Sequence, residues 1–268
     1  MNNSKDHIDI SAFPDNLQVE KGVLKGRVGM DFKNFEANYL AVRDKEHRFL
    51  ADEQVAELPD LKNHVHSKEW QLRTRSAKRV ISYFKHSGHG NLLDLGCGNG
   101  WFCHKLASEC EVSVIGMDVN LTELEQAARV FKLARLKFVY ADIFMEQLPL
   151  SFFDFITLNA VVQYFPDLSK LIDRLFNLLK PDGELHFIDS PFYDQGDLQH
   201  AKQRTFEYYN SLGFPQMAES YYHHSWQELK EFSFEVLYRP DKSKFHKLLN
   251  KKDIPFPWIK LVKPNGKA

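Results

Sequence analysis

The pattern of hydrophobic and polar positions changes near residue 66. Residues 1–65 are polar and mixed without a strong period, so we expect an N-terminal extension that wraps the core, forms a lid or frays. Its charged run from Arg43 to Glu57 is typical of a solvated helix. From residue 66 onward, short apolar runs alternate with amphipathic segments, which predicts a regular domain over residues 66–268.

The alternating segments predict an ordered series of strands and helices. The apolar runs predict strands over residues 91–95, 112–117, 137–140, 153–158 and 184–189. Helices are predicted over 69–84 and 101–108, from an N-cap at Asn120, and over 168–179. Strand–helix alternation at this spacing requires right-handed crossovers, so the fold class is α/β with a parallel, doubly wound sheet.

Composition narrows the class of protein. The 268 residues are 43% hydrophobic and 26% charged, which is enough to build a sizeable core, and the net charge of −1 does not indicate a globally basic nucleic-acid binder. No stretch of about 18 apolar residues predicts a membrane span, and the first residues do not resemble a secretory signal. Three cysteines without a C-x-x-C pair (Cys97, Cys103 and Cys110) favour neither disulfides nor zinc, so we expect a cytoplasmic protein without a metal.

Candidate chemistry lies where the predicted strands end, because ligands of doubly wound sheets bind at the carboxyl ends of the strands. The segment from Gly96 to Gly100 follows the first strand as G-x-G-x-G, with its third glycine one residue earlier than in dinucleotide-binding loops. Such a segment is also compatible with an ordinary turn. Asp94 lies inside the first strand, where a carboxylate must be satisfied by loop amides or by the amino group of a ligand.

Two further strand ends carry carboxylates. Asp118 ends the second strand, where it can accept hydrogen bonds from the 2′- and 3′-hydroxyls of a ribose, and its charge argues against a 2′-phosphate. Asp142 ends the third strand, where it can accept from an exocyclic amino group such as that of adenine, with Ile143 covering the ring. The alternative is that Asp142 only caps a loop.

Five segments of the chain resemble, in order, the motifs of class I S-adenosylmethionine-dependent methyltransferases. They are LLDLGCGNG, VIGMDVN, VYADIF, FDFITLNAVVQYFPD and LLKPDGELHFID, and they cover residues 90–190. The resemblance is nearest to the small-molecule and ubiquinone-pathway members. It implies a Rossmann-like, mostly parallel seven-stranded sheet with helices on both faces and an antiparallel seventh strand, with closing strands at 232–238 and 256–262.

The resemblance also implies which residues bind the cofactor, S-adenosylmethionine. Its methionine part would lie over the glycine loop and the end of the fourth strand, its ribose at Asp118 and its adenine at Asp142 between Met117 and Ile143. The loop and strand residues implied in this way are Gly96, Cys97, Gly98, Asn99, Gly100, Asn159 and Ala160. Arg73, on the helix before the first strand, could pair with the carboxylate of the cofactor, or else belong to a solvated helix face.

The chain departs from the family pattern in two places. Gln163 and Tyr164 stand where many members carry a histidine pair, so no histidine base is expected there. Residues 158–161 read LNAV rather than N-P-P-Y, which lowers methylation of DNA adenine and of glutamine as candidates.

The predicted insertion over residues 191–226 is the candidate for acceptor binding. It is rich in aromatic and polar residues, which suits either a pocket for a small organic acceptor or a helical cap packed on the sheet. His223, His224 and Tyr193 are weak candidates for a general base, and no catalytic residue is assigned.

The leading hypothesis is therefore an enzyme that transfers a methyl group from S-adenosylmethionine to a small molecule by in-line displacement. An RNA methyltransferase is one alternative, based on lysines near the C-terminus such as Lys242, Lys251 and Lys267, although no aromatic–basic interleaving supports nucleic acid as a partner. A non-catalytic, S-adenosylmethionine-binding regulatory module is the other. The acceptor atom and the oligomeric state stay open.

Overall fold

The structure is a computed structural model that describes residue 8 and residues 11–14, 17–240 and 253–265, with the backbone alone at 30–34. A nine-stranded sheet forms its centre. The strands are β1 (Gln18–Glu20), β2 (Val23–Lys25), β3 (Gly90–Leu95), β4 (Val112–Asp118), β5 (Leu136–Tyr140), β6 (Phe153–Asn159), β7 (Leu179–Ile188), β8 (Phe234–Tyr238) and β9 (Trp258–Val262). The helices are α1 (Met30–Lys45), α2 (Asp52–Ala56), α3 (Ser67–Phe84), α4 (Trp101–Glu109), α5 (Leu121–Val130), α6 (Leu168–Leu178), α7 (Leu198–Leu212) and α8 (Trp226–Leu229).

The strand order is that of a doubly wound sheet. The strands lie in the order β1-β2-β5-β4-β3-β6-β7-β9-β8, and β5, β4, β3, β6 and β7 run parallel to their neighbours within that group. β9 is antiparallel to both β7 and β8, as predicted for the seventh strand. Because the chain order reverses at β3, the carboxyl ends of β3 and β6 border a crevice where ligands of such sheets bind.

The N-terminal extension contributes two strands that the sequence did not predict. β1 and β2 form a hairpin, and β2 pairs in parallel with β5, with Val23 opposite Phe138. Each strand has only three residues, which is too short to show a period of two. The sheet therefore has nine strands instead of the expected seven.

The charged run from Arg43 to Glu57 is not the solvated helix that its composition suggested. α1 ends at Lys45 and α2 begins at Asp52. Leu50, between the two helices, and Val55, within α2, are both buried. Arg43 forms an ion pair with Glu123 of α5 at 3.0 Å. Arg48 and Asp52 likewise pair with Glu69 and Arg129 of the domain body. The sequence pattern does not show such long-range pairs.

Apolar layers cover both faces of the sheet. On one face α6 buries Leu171, Ile172 and Leu175 completely, which confirms its predicted apolar side. On the other face α3, α4 and α5 pack through residues such as Phe84 and Leu106. These layers fix the strand ends that carry the candidate site. Within the described part of the chain, no helix is long and apolar enough to cross a membrane.

Gly100 is the point where α4 comes closest to its neighbours. Its φ is +73°, and a Cβ there would lie 2.6 Å from the ring of Phe138 and 2.8 Å from the Cβ of Ala127. A left-handed φ disfavours any residue with a side chain, and the contact leaves no room for one. The glycine therefore sets how closely α4 approaches β5 and α5.

Replacing Gly100 with alanine tests this close approach. Gly88→Ala is the matched control, because Gly88 has φ +84° and open space around its missing Cβ. Both variants bear the strain of a left-handed residue, about 1–2 kcal/mol, and Gly100→Ala should lose about 1–3 kcal/mol more through overpacking. Urea unfolding measures both losses, and equal losses would contradict the packing role of Gly100.

Candidate functional site

A cavity of about 500 Å³ lies at the carboxyl ends of the central strands. Its floor comes from residues that follow β3, β4, β5 and β6, and its cover comes from α1, the segment after β6 and the insertion. The floor residues are Leu95, Gly96, Gly98, Asp118, Val119, Asn120, Ala141, Asp142, Ile143, Ala160 and Val161. The cover residues are Phe35, Glu36, Tyr39, Tyr164, Phe165, Pro166, Ser220 and Tyr222.

The sheet order arranges the floor along one line. β5, β4, β3 and β6 are neighbours in this order, so Asp142, Asp118, Gly96 and Ala160 follow one another across the crevice. Three spacings between adjacent strands span about 14 Å. The cavity is therefore long enough for an extended small molecule that contacts several strand ends at once.

Asp118 is held in place by two backbone groups. Its Oδ2 accepts a hydrogen bond from the N–H of Gly98 at 2.8 Å, and its Oδ1 accepts one from the N–H of Asn120 at 2.9 Å. Burial and the charge of Glu123 raise the pKa of Asp118 to about 7, against the lowering effect of these hydrogen bonds. The carboxylate is thus fixed in orientation and changes its charge near neutral pH.

Gly96 allows the loops after β3 and β6 to touch. Its φ is +75°, and a Cβ would lie 2.2 Å from Cγ2 of Val161. Since both loops line the cavity, a side chain at this position would push apart the middle of the floor.

Asp142 both caps a turn and lines the cavity. Its Oδ1 accepts from the N–H of Phe144 at 2.9 Å, and its own N–H donates to the carbonyl of Arg27 at 2.9 Å. Asp142 therefore caps a loop, as the alternative predicted. It also lines the floor of the cavity beside Ile143.

Some predicted cofactor residues lie in the core next to the cavity. Met117 is completely buried and is not part of the lining. The described hydrogen bonds of Asp94 do not go to loop amides, and its contact with a ligand stays a prediction. It accepts hydrogen bonds from Oγ1 of Thr157 at 2.7 Å and from the thiol of Cys103 at 3.1 Å, and burial raises its pKa to about 6. Its function is to join β3 to β6 and α4.

The remaining loop residues support the cavity without lining it. The thiol of Cys97 is buried, and burial raises its pKa to about 11. The side-chain oxygen of Asn99 lies 3.5 Å from the N–H of Trp101, at the start of α4 beside Gly100. Asn159 ends β6 immediately before Ala160, and its Oδ1 is buried with no hydrogen-bond partner among the described residues.

Arg73 interacts with other residues of α3 instead of with the cavity. Its Nε donates to Glu69 at 3.1 Å, and its guanidinium lies 5.6 Å from the ring centroid of Trp70. Arg73 is not among the residues that line the cavity. The structure thus places it on the α3 face, which was the alternative interpretation.

The three candidates for a general base also lie outside the lining. His224 is buried, and its Nε2 lies 3.0 Å from the carbonyl of Phe165, while its Nδ1 lies 3.3 Å from Glu228. His223 places Nε2 at 2.9 Å from Oγ1 of Thr205, and its ring lies 5.5 Å from that of Tyr193. His224 therefore fastens the insertion to the segment after β6.

Sequence reasoning missed the contribution of α1. Phe35, Glu36 and Tyr39 line the cavity, and Oε1 of Glu36 accepts from the N–H of Leu121 at the start of α5 at 2.9 Å. Burial raises the pKa of Glu36. The spacing of Phe35 and Tyr39 by four residues was a signal for one helix face. It could not show which part of the fold that face would cover.

Comparisons with known proteins agree with this geometry. A family model described as a methyltransferase domain matches residues 86–253. The trans-aconitate 2-methyltransferase of Methylobacterium radiotolerans is 37% identical over 117 residues, which are 42% of this chain and 43% of that protein. A demethylmenaquinone methyltransferase of Listeria welshimeri is 24% identical over 226 residues, covering 81% of this chain and 90% of that protein. The matches to the first curated relatives span less than half of their length.

Solved structures share the fold. One is Haemonchus contortus phosphoethanolamine N-methyltransferase 2 in complex with phosphomonomethylethanolamine and S-adenosylhomocysteine. Its TM-score is 0.55 at 20% identity, and the alignment covers 83% of this chain and 60% of that one. Another is the YcgJ protein of Bacillus subtilis, with a TM-score of 0.53 at 14% identity, covering 72% of this chain and 100% of that one.

The chain belongs to the methyltransferase domain family, within the class I S-adenosylmethionine-dependent methyltransferases. The predicted superfamily, α/β fold and class of enzyme are thereby confirmed, and S-adenosylmethionine is the cofactor of this class. Within the described ranges, no group of three or more His, Cys, Asp or Glu residues could hold a metal ion.

The pKa of Asp118 predicts a pH dependence of S-adenosylmethionine binding. A carboxyl group with a pKa of about 7 is mostly protonated at pH 6, and the neutral form is a weaker acceptor for ribose hydroxyls. Affinity should rise with pH through 7, by at most about tenfold per pH unit, and then level off. Titration calorimetry at several pH values measures this, with Asp118→Asn expected to bind weakly and without the step. A wild-type affinity that stays flat across pH 6–8 would contradict the assignment.

Proposed function

We propose that this protein transfers the methyl group of S-adenosylmethionine to a small-molecule acceptor. The observation that carries the proposal is the single crevice formed by Asp142, Asp118, the glycine loop and Ala160 at four adjacent strand ends, closed over by aromatic residues. In this proposal Asp118 binds the ribose, Asp142 the adenine amino group, and residues 96–98 lie beneath the methionine part.

The residues present fit that cofactor. The two Asp118 oxygens accept from the N–H groups of Gly98 and Asn120, and the lone pairs that remain on the carboxylate can accept from ribose hydroxyls. The cavity volume lies within the range of small-molecule sites.

The chemistry needs positioning more than it needs reactive side chains. The bound cofactor supplies an activated methyl group on a positively charged sulfonium. The chain's own contribution is to hold the acceptor in line, with its reacting atom about 3–3.5 Å from the methyl carbon. Phe35, Tyr39 and Tyr222 exclude water from above.

The RNA alternative gains no support from the described residues. Most of the lysines behind it lie outside the described residues. Of the described ones, Lys260 pairs with Glu235 at 2.9 Å, and Lys263 donates to the carbonyl of Leu179. The regulatory alternative differs from our proposal in predicting cofactor binding without transfer. The cytoplasmic location stays a prediction.

We also propose that α1 and the insertion form a lid, whose members are residues 30–45 and 198–220. These two segments pack on each other through Val42, Tyr209 and Met217. Their polar contacts with the domain body, among the described residues, include Glu36 with the N–H of Leu121 and Arg43 with Glu123. A cover whose two segments pack on each other can move as a unit when ligands enter.

Asp118→Ala tests the ribose assignment. Two charge-assisted hydrogen bonds are each worth about 1.5–3 kcal/mol, so the dissociation constant of S-adenosylmethionine should rise at least about 100-fold. Asp173→Ala, at an exposed position of α6, is the control and should bind normally. Calorimetry and circular dichroism measure affinity and fold, and unchanged affinity in a folded Asp118→Ala variant would remove the assignment.

Hydrogen exchange tests the lid. Saturating S-adenosylhomocysteine should slow amide exchange in residues 30–45 and 198–220 together, because the ligand stabilises the closed cover. The sheet strands serve as the internal reference, since their amides should change little. Protection that appears at the strand ends and leaves both lid segments unaffected would show that the cover is static.

A further inference from the structure

The cover of the cavity defines where an acceptor would lie. This inference rests on the proposed function, which assigns the floor from Asp142 to Ala160 to the cofactor. The rest of the lining, here named the acceptor end, consists of Phe35, Glu36, Tyr39, Tyr164, Phe165, Pro166, Ser220 and Tyr222. The rings of Phe35, Tyr39 and Tyr164 lie 5.6–5.9 Å from one another. The acceptor end is thus mainly aromatic, and Glu36 is the one ionisable carboxylic acid among its described residues.

The charges around the whole cavity have one sign. Its charged lining residues, among those described, are the carboxylic acids Glu36, Asp118 and Asp142, and no described Lys, Arg or His is part of the lining. Arg43 lies behind Tyr39, with its guanidinium 5.7 Å from the ring centroid, and is already paired with Glu123 at 3.0 Å. A carboxylate or phosphate of an acceptor would therefore find no counterion among the described side chains that line the cavity.

The acceptor end contains no histidine among its described residues, and Glu36 is its one carboxylic acid. The imidazole of His224 is committed to the carbonyl of Phe165 and to Glu228, and His223 lies outside the lining. Burial raises the pKa of the hydroxyls of Tyr39 and Tyr164, so both are neutral. Glu36 accepts from the N–H of Leu121 at the start of α5, next to the floor residue Asn120. Alcohols and carbon acids need a base to react, whereas neutral amines, thiolates and carboxylates do not.

We propose that the acceptor is an amine with an aromatic or apolar body, methylated on nitrogen at the acceptor end. The described charged residues of the lining are all carboxylic acids, which disfavours anionic nucleophiles such as thiolates and carboxylates and favours an amine that arrives as a cation. The cationic amine first releases one proton to water, which frees the nitrogen lone pair. The lone pair then forms the bond to the methyl carbon while the carbon–sulfur bond breaks and leaves its electron pair on sulfur. The nitrogen becomes a cation, and a primary or secondary amine then releases a proton to water.

The aromatic rings match this change of charge. A cation within about 6 Å of a ring centroid is attracted by the face of the ring, most strongly when water is excluded. The positive charge that passes from sulfur to nitrogen therefore stays near aromatic faces throughout. Trans-aconitate and phosphomonomethylethanolamine, which appear in the names of similar proteins, both carry anionic groups. We expect such anions to be poor acceptors here.

Sorting acceptors by charge tests the proposal on the intact chain. Calorimetry first establishes that S-adenosylmethionine binds, and a failure at this step would refute the proposed function itself. A yeast metabolite extract is then separated by ion exchange at pH 7 into cationic, neutral and anionic pools. Each pool is incubated with the protein and methyl-tritiated S-adenosylmethionine, with trans-aconitate and phosphoethanolamine as pure anionic probes.

The cationic pool should take up about tenfold more label than either other pool, the factor that about 1.4 kcal/mol of cation–π attraction provides. Label that enters mainly the anionic or neutral pool would overturn the amine assignment and leave the methyltransferase standing. Cofactor binding without transfer to any pool would instead favour the regulatory module and contradict both proposals.

A charge placed in the acceptor end sharpens the test. Ser220→Lys adds a cation to the cover, and Ser220→Gln adds similar bulk without charge. Repulsion of the amine should lower transfer to the cationic pool about tenfold more in the lysine variant than in the glutamine variant. Both should bind S-adenosylmethionine with wild-type affinity. Equal losses of transfer in the two folded variants would show that charge at the acceptor end does not select the acceptor.

Discussion

The hydrogen bonds that fix the carboxylate of Asp118 are the constraint on which the rest of the site depends. They tie the end of β4 to the glycine loop after β3 through Gly98, and to the start of α5 through Asn120. The contact between Gly96 and Val161 then joins the same loop to the segment after β6. The ends of three strands, β3, β4 and β6, are thereby held in one arrangement beside the crevice.

The cover and the floor of the cavity are built from different kinds of residues and contacts. The floor is built from backbone turns and carboxylates on rigid strands, whereas the cover is built from aromatic rings on two segments that pack on each other. Contacts such as Glu36 with the N–H of Leu121 connect the two parts at the start of α5. The floor therefore suits the ligand part shared across the family, and the cover suits the part that distinguishes one acceptor from another.

Much of the fold and the floor of the site could be predicted from sequence because the signals are local. Buried parallel strands show as apolar runs, Asn120 caps α5 as its spacing with Glu123 indicated, and strand-end positions identified Asp118 and Asp142. The errors involve long-range pairing. Asp94 found partners on β6 and α4, and Arg43 found Glu123 some eighty positions away. No local pattern encodes such contacts.

The cover was harder to predict for a related reason. The aromatic residues of 191–226 could line a pocket or pack a cap, and the structure shows both uses, with Tyr222 in the lining and Tyr209 in the packing against α1. Whether a tyrosine of this segment faces the cavity or packs against α1 depends on how the insertion lies over the sheet. His223 and His224 show the same effect, because they lie in an extended segment and not on a helix.

A crystal structure of the complex with S-adenosylhomocysteine tests the central claim most directly. The account predicts both ribose hydroxyls within hydrogen-bonding distance of the Asp118 carboxylate, the adenine beside Asp142 and Ile143, and the sulfur directed toward Tyr39 and Tyr164. A nucleoside bound away from the ends of β4 and β5, or a sulfur directed away from the aromatic cover, would contradict it.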